Sequence, residues 1–329
     1  MAEQLRIGII GCGGITHGHV QNIAGIREAR VVALVDTDPQ RIKDMKARHP
    51  ETKDVPEFSD YREMLKSVEL DATEVHTPHT LHFEQIMDSL DKGLHVLTEK
   101  PMVCKVVHAK KLIEKAEQAK KVVLVSYQRH YQGPFRYIKQ VISSGQLGKV
   151  TFVSALQCQD WYRATKTLWR QKLSLSGGGQ LNDSGSHLLD IILWTTGLEP
   201  AEVTAFIDNL DSEVDINSAV SVKFKGGAQG NISVVGHAPT WWEDITIWGT
   251  EGALFYRNGT LRHHVGFGKE VHELSGFPSV GNPDRNFVDA ILGRAQVESP
   301  ATCGLRVIQL TEAAWKSAKL GGKPVKVTT

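Results

Sequence analysis

The chain has 329 residues, 41% apolar and 23% charged, with a net charge of +1. That length exceeds the ~250–300 residues at which a single core stops growing, so two domains are expected, and the balanced charge excludes nucleic acid as an implied partner. No stretch approaches the ~20 apolar residues of a bilayer span, so no membrane partner is expected either.

The N-terminus passes directly into Arg6-Ile7-Gly8-Ile9-Ile10, without the charged region and apolar stretch of a leader, and a cytoplasmic location is expected. Leu5–Ile10 reads as a strand, followed by Gly11-Cys12-Gly13-Gly14-Ile15-Thr16 and a helix from about His17 to Ile26. A second strand, Val31–Val35, ends in Asp36. Strand, glycine turn, helix, strand and acid in this order form the context of a dinucleotide fingerprint. Gly11 allows the tight turn, Gly13 lets the backbone approach a pyrophosphate, and the helix N-terminus offers unpaired N–H groups. Asp36 stands where a carboxylate accepts both ribose hydroxyls. Backed by Asp38, it repels a 2′-phosphate, so NAD is expected over NADP, with Arg41 able to soften the choice.

Alternation continues through helices at 39–48 and 61–67, a strand at Ala72–His76, a helix at Leu81–Lys92 and the strand Leu94–Thr98, which ends in Glu99-Lys100-Pro101. A helix over Val106–Lys120 and the strand Val122–Val125 complete a parallel sheet covered on both faces, with ligands outside the strand carboxyl ends. Lys100 lies at such an end. Only His76-x-x-His79-x-x-His82 resembles a ligand cluster, and without a carboxylate or thiolate partner it is not read as a metal site. The scattered Cys12, Cys104, Cys158 and Cys303 suggest neither disulfides nor zinc.

From about Tyr127 the texture changes. A helix at Pro134–Ser144 and a turn at Gly145–Gly148 lead into a strand at Val150–Cys158. Another helix over Ser186–Thr196 is followed by strands at 202–209, 218–224, 229–235, 244–248 and 253–256, closely spaced and therefore largely antiparallel. Two helices close the chain. The fold class is thus an N-terminal Rossmann domain (1–126) and a C-terminal, largely antiparallel β-sheet domain with flanking helices (127–329).

Between the two textures lies Ser176-Gly177-Gly178-Gly179-Gln180-Leu181-Asn182-Asp183-Ser184-Gly185-Ser186-His187-Leu188-Leu189-Asp190. Three glycines suit a flexible or closely approached loop. Asp183 and His187, if helical, share a face, and Asp190 is placed to hold the second imidazole nitrogen or to cap an exposed turn. Trp161, Tyr162 and Arg163, and then Trp241 and Trp242 after a loop at His237–Thr240, offer flat faces and polar groups suited to a sugar ring or cyclitol.

Taken together, Gly11-Cys12-Gly13-Gly14-Ile15, Thr77-Pro78 with His82, Gly93 through Glu99-Lys100-Pro101, and Gly177–Gly179 through Asp183, His187 and Asp190 resemble the Gfo/Idh/MocA oxidoreductase family over essentially the whole length. The resemblance implies that Lys100 and His187 flank the reacting carbon and that Asp183 binds or orients a substrate hydroxyl. It implies cofactor contacts from Gly11, Gly13, Gly14, Ile15, Asp36, Thr77, Pro78, His82, Glu99 and Lys100, and substrate contacts from Lys100, Trp161, Tyr162, Arg163, Asp183 and His187. His79 replaces the family's usual Asn near the nicotinamide ribose, and Thr16 replaces a small residue. Alcohol oxidation needs a base of near-neutral pKa, which suits His187, and a cation at Lys100 stabilises alkoxide charge; the reverse assignment stays open.

The expected function is NAD-dependent hydride transfer to or from a secondary hydroxyl of a small sugar, sugar derivative or cyclitol, with no metal. A homodimer or homotetramer is expected through the C-terminal sheet, on the face carrying Ile232, Val234 and Ile247. The alternatives are a glycosidase using transient oxidation by NAD, and a sugar- or nucleotide-sensing regulator on the same fold.

Overall fold

The computed structural model describes residues 4–266 and 270–328. The elements run β1 (Leu5–Ile10), α1 (Thr16–Ala24), β2 (Ala29–Val35), α2 (Pro39–Arg48), β3 (Glu57–Phe58), α3 (Tyr61–Ser67), β4 (Ala72–Val75), α4 (His82–Asp91), β5 (His95–Thr98), α5 (Val106–Ala119) and β6 (Val123–Val125). After these come α6 (Gly133–Ser143), β7 (Val150–Asp160), α7 (Trp161–Thr165), α8 (Leu173–Ser176), α9 (Gly185–Thr196), β8 (Pro200–Asp208), β9 (Asn217–Phe224), β10 (Gln229–Val235), β11 (His237–Gly249), β12 (Gly252–Arg257), β13 (Thr260–Val265) and β14 (Glu270–Leu274). The last elements are α10 (Pro283–Ile291), α11 (Ala301–Lys319) and β15 (Val325–Lys326). Among the described residues no helix is long and apolar enough to cross a membrane.

The chain divides into two compact units, Met1–Val103 with Val107–Gln128 and Gly281–Gly304, and Cys104–Val106 with Arg129–Val280 and Leu305–Thr329. In the first, six parallel strands follow the order β3-β2-β1-β4-β5-β6. The order reverses between β1 and β4, and ligands bind at the strand carboxyl ends beside such a switch point. Helices cover the sheet, so its strands are apolar on both faces: Ile7, Ile9, Val20, Ile23, Leu34, Met45, Leu97 and Phe287 form one buried cluster. Each such side chain contributes roughly 1.5–3 kcal/mol on burial. Asp38, Asp60 and Asn282 cap α2, α3 and α10 by accepting backbone N–H groups of the first turn.

The second unit holds a nine-stranded sheet in the order β14-β13-β12-β11-β7-β10-β9-β8-β15. All its pairings are antiparallel except β7 with β10. Burial alternates along β9 and β10, as expected of a sheet with one face packed and one exposed. Two expectations are corrected here. Ile232, Val234 and Ile247 are buried within the chain itself, on the face where Gly185 of α9 packs so closely that a Cβ there meets Val234 Cγ2 at 3.2 Å. Residues 237–240 are part of the long strand β11 and not a loop, because that segment extends the pairing partner of β7 past a register shift.

Candidate active site

At the carboxyl end of β1 the chain must turn sharply. Gly11 does so at φ +97°, and a Cβ there would meet the His76 carbonyl at 2.9 Å, so glycine is required. Thr16, buried where a smaller residue is usual, donates its hydroxyl to the Gly11 carbonyl at 2.8 Å and fixes the turn to α1. Beyond that anchor the turn is open: a Cβ on Gly14 meets nothing within 4 Å, and one on Gly13 meets only the Arg41 guanidinium at 3.8 Å. Helix α1 has no side-chain cap and no acidic residue in its first turn. An open turn leading into an uncapped N-terminus fits a pyrophosphate. Ile15 is half exposed beside it. Asp36, at the end of β2, accepts the Cys12 N–H at 2.8 Å and the Asp38 N–H at 2.9 Å, with an Arg41 nitrogen 4.0 Å away. Each carboxylate oxygen has a second acceptor direction, so the group ties the glycine turn to β2 and keeps capacity for a ribose.

The loops after β4 and β5 are tied together by His82. Its Nδ1 lies 2.9 Å from the Pro101 carbonyl and its Nε2 2.8 Å from that of Thr77. Both bonds require donors, whereas burial drives the ring below its ordinary pKa; a neutral ring satisfies one carbonyl at a time. Thr77 donates to Gln85, and Pro78 opens the tight turn at 79–81. Glu99 accepts from its neighbour's Lys100 N–H and from Gln128, and lies 3.2 Å from His19 Nε2. Burial alone would push this carboxyl up, but the bond and charge of His19, aided by Lys100, hold it well below the usual carboxylate range. Lys100 is half-buried and is followed by a cis bond to Pro101.

In the second unit the glycine loop is packed, not open. A Cβ on Gly178 would strike the Trp315 ring at 2.3 Å, and one on Gly179 the Asp215 carbonyl at 1.9 Å. Asp215, fully buried, accepts from the Gly179 N–H at 2.9 Å, the Leu181 N–H at 2.7 Å and the Trp315 indole at 2.9 Å. Burial raises its pKa against these donors. This frame presents Asp183, which lies in the turn before α9, since the helix begins at Gly185, so the shared helical face considered for Asp183 and His187 does not form. One Asp183 oxygen accepts from the Trp161 indole at 2.8 Å and from Arg170 Nε at 3.0 Å. His187 follows, half-buried, in the first turn of α9.

Asp190 does not serve His187. It is buried and bonds His130 Nε2 at 2.7 Å, because the apolar environment of α9 turns it inward. Tyr162 pairs with Asp211 and Lys166, and Arg163 is exposed beside Asp160 and His237, so neither is brought to Asp183 as Trp161 is. The run His76, His79, His82 does not converge as a ligand set among the described residues. Arg170, which the sequence offers with Trp169 as a possible substrate contact, instead holds Asp183, and Asp215, which braces the loop, is the residue that the motifs miss. A lone acid between Val214 and Ile216 was the available signal for Asp215.

Comparison with known proteins gives the family and the fold. Residues 5–127 match the oxidoreductase family with an NAD-binding Rossmann fold, and residues 135–255 match the GFO/IDH/MocA C-terminal domain. A 1-carboxy-3-chloro-3,4-dihydroxycyclohexa-1,5-diene dehydrogenase of Comamonas testosteroni is 26% identical over 75% of this chain, which spans only 62% of that enzyme. The myo-inositol 2-dehydrogenase of Thermotoga maritima is 27% identical over 77% of this chain and 75% of its own length. Among solved structures, the WlbA dehydrogenase of Bordetella pertussis in complex with NADH and UDP-GlcNAcA superposes with a TM-score of 0.87 at 22% identity, covering 100% of this chain and 99% of that one. A levoglucosan dehydrogenase in complex with NADH and levoglucosan gives 0.88 at 20% identity, covering 99% and 100%. With both of its domains matched, the chain belongs to the GFO/IDH/MocA oxidoreductase family.

Proposed function

We propose that the protein transfers a hydride between NAD and a secondary hydroxyl of a sugar, sugar derivative or cyclitol. The observation that carries the reading is the open Gly13–Gly14 turn at the uncapped start of α1, braced by Asp36. The carboxylate at the ribose position favours NAD over NADP. The substrate class is supported by Asp183, oriented by Trp161 and Arg170, and by relatives named as dehydrogenases of hydroxylated rings. When bound, NAD supplies the nicotinamide C4 that takes or returns the hydride. His187 takes the hydroxyl proton as the C–H bond gives up its electron pair, leaving a ketone, and returns it in the reverse direction. Lys100 stabilises the developing alkoxide, and Asp183 orients a hydroxyl. A second copy docks on the outer face of the nine-stranded sheet, where Phe206, Trp242 and Trp248 are exposed on one face by register.

The test is a polyol panel with NAD, following absorbance of NADH for wild type, Lys100→Ala and His187→Ala. Each variant should lose about 10²–10⁴-fold in turnover while still binding NADH. Wild-type rates in both variants would remove these roles. Release of product sugar without net NADH would replace the reading with a glycosidase, and ligand binding without turnover with a sensor.

A further inference from the structure

Beneath the nucleotide turn, five ionisable side chains meet away from water. His19 comes from α1, Glu74 from β4, His76 from the residue after β4, Glu99 from the end of β5 and Asp284 from α10, and all five are buried. The His19 and His76 rings stack with centroids 4.3 Å apart. Neither oxygen of Glu74 and neither ring nitrogen of His76 has a hydrogen bond, although both side chains are fully buried. Burial, with the neighbouring Asp284 and Glu99 carboxylates, pushes Glu74 well above the usual carboxylate range. Leaving such groups unpaired costs several kcal/mol each by order of magnitude, so something positive belongs between them.

We propose that this cluster is a site for a divalent transition-metal ion of the zinc class, held by His19, Glu74, His76 and Asp284. His19, Glu74 and His76 offer one ligand atom each, all within 4.8 Å of one another. His76 Nε2 is 3.5 Å and His19 Nδ1 3.8 Å from Glu74 Oε2. A tetrahedral ion with bonds of about 2.0–2.1 Å has ligand–ligand edges of about 3.4 Å, so small inward movements close the site. Asp284 lies outside that three-residue group; its Oδ1, 2.6 Å from His19 Nδ1, supplies the fourth corner by giving up the proton between them and drawing back to an edge of about 3.4 Å. The outer shell is already built. His19 Nε2 reaches Glu99 at 3.2 Å, and Asn22 holds the second Asp284 oxygen at 2.8 Å, the carboxylate–histidine arrangement that orients metal ligands. A proton shared by Glu74 and Asp284 would leave both nitrogens of His76 without a partner; the ion takes one of them and neutralises both carboxylates together.

The full-length protein, treated with chelator, is titrated with Co²⁺ alone and with Zn²⁺ alone. Expected are one equivalent bound, the visible ligand-field bands of four-coordinate Co²⁺, and a rise in melting temperature. Glu74→Gln and His76→Ala should lose the bands and the thermal shift, while His237→Ala, at an exposed position, keeps both. Glu99→Gln should weaken binding about 10–100-fold. X-ray absorption of zinc-loaded wild type, which depends on no variant folding, should show only nitrogen and oxygen neighbours with two imidazoles. Wild type without stoichiometric metal, bands that survive in both ligand variants, or sulfur in the first shell would each overturn the site.

Discussion

Both units use one device, a buried carboxylate accepting backbone N–H groups of a glycine turn, and use it to opposite ends. Asp36 ties down only the Cys12 end of its turn and leaves Gly13 and Gly14 facing open space. Asp215 grips Gly179 and Leu181 while Trp315 fills the space over Gly178, so that loop has no room for a ligand. The first glycines are small so that a ligand can approach the backbone. The second are small so that the protein can, and what the packed loop delivers is the fixed position of Asp183. Glycine content alone does not separate a cradle from a mount; the atoms a Cβ would meet do.

Substitutions that add or remove single groups sharpen this contrast. The largest effect is expected of Gly179→Ala, where the methyl would overlap the Asp215 backbone; denaturant unfolding should show a loss of roughly 3 kcal/mol. Asp215→Ala should cost about 2 kcal/mol net, because three buried donors lose their acceptor while the cost of burying the carboxylate is relieved, and should raise KM for the substrate more than it changes NADH binding. Third is an acid effect confined to the first unit. His95 Nδ1 accepts the Val122 N–H at 3.0 Å, and burial, helped by Lys121, lowers its pKa to about 4. The unfolded chain therefore takes up this proton first, and stability is retained above about pH 6.5 and falls toward pH 4. After solvent screening the loss is about 1–2 kcal/mol, and His95→Gln should flatten that limb of the stability–pH curve. The smallest stability change, within about 0.5 kcal/mol, is expected of Gly14→Ala, yet its NADH dissociation constant should rise; equal losses of stability in Gly14→Ala and Gly179→Ala would abolish the distinction. Asp36→Ala should narrow the preference for NAD over NADP in parallel kinetic assays.

Much of the fold was legible because its causes are local. The apolar run of β1, the turn at Gly11 and the acid after β2 lie within about forty residues and act through neighbouring sterics, and strand–helix alternation dictates a parallel sheet. The same locality made Asp190 misleading: its spacing from His187 suggested a partnership, whereas the inward face of α9 gives it to His130, sixty residues away. Burial of Ile232 and Val234 likewise depended on α9 covering their face, which alternation along a strand cannot say. The sequence by itself determined the nucleotide turn and the order of the strands along the chain, and it singled out Lys100, Asp183 and His187 as the candidates for the chemistry. Only the tertiary structure decided that 281–304 packs with the first unit and brings Asp284 onto His19, 265 residues away. Hydrophobic periodicity reports which face of an element is buried, and it carries no information about which distant polar group will be waiting there.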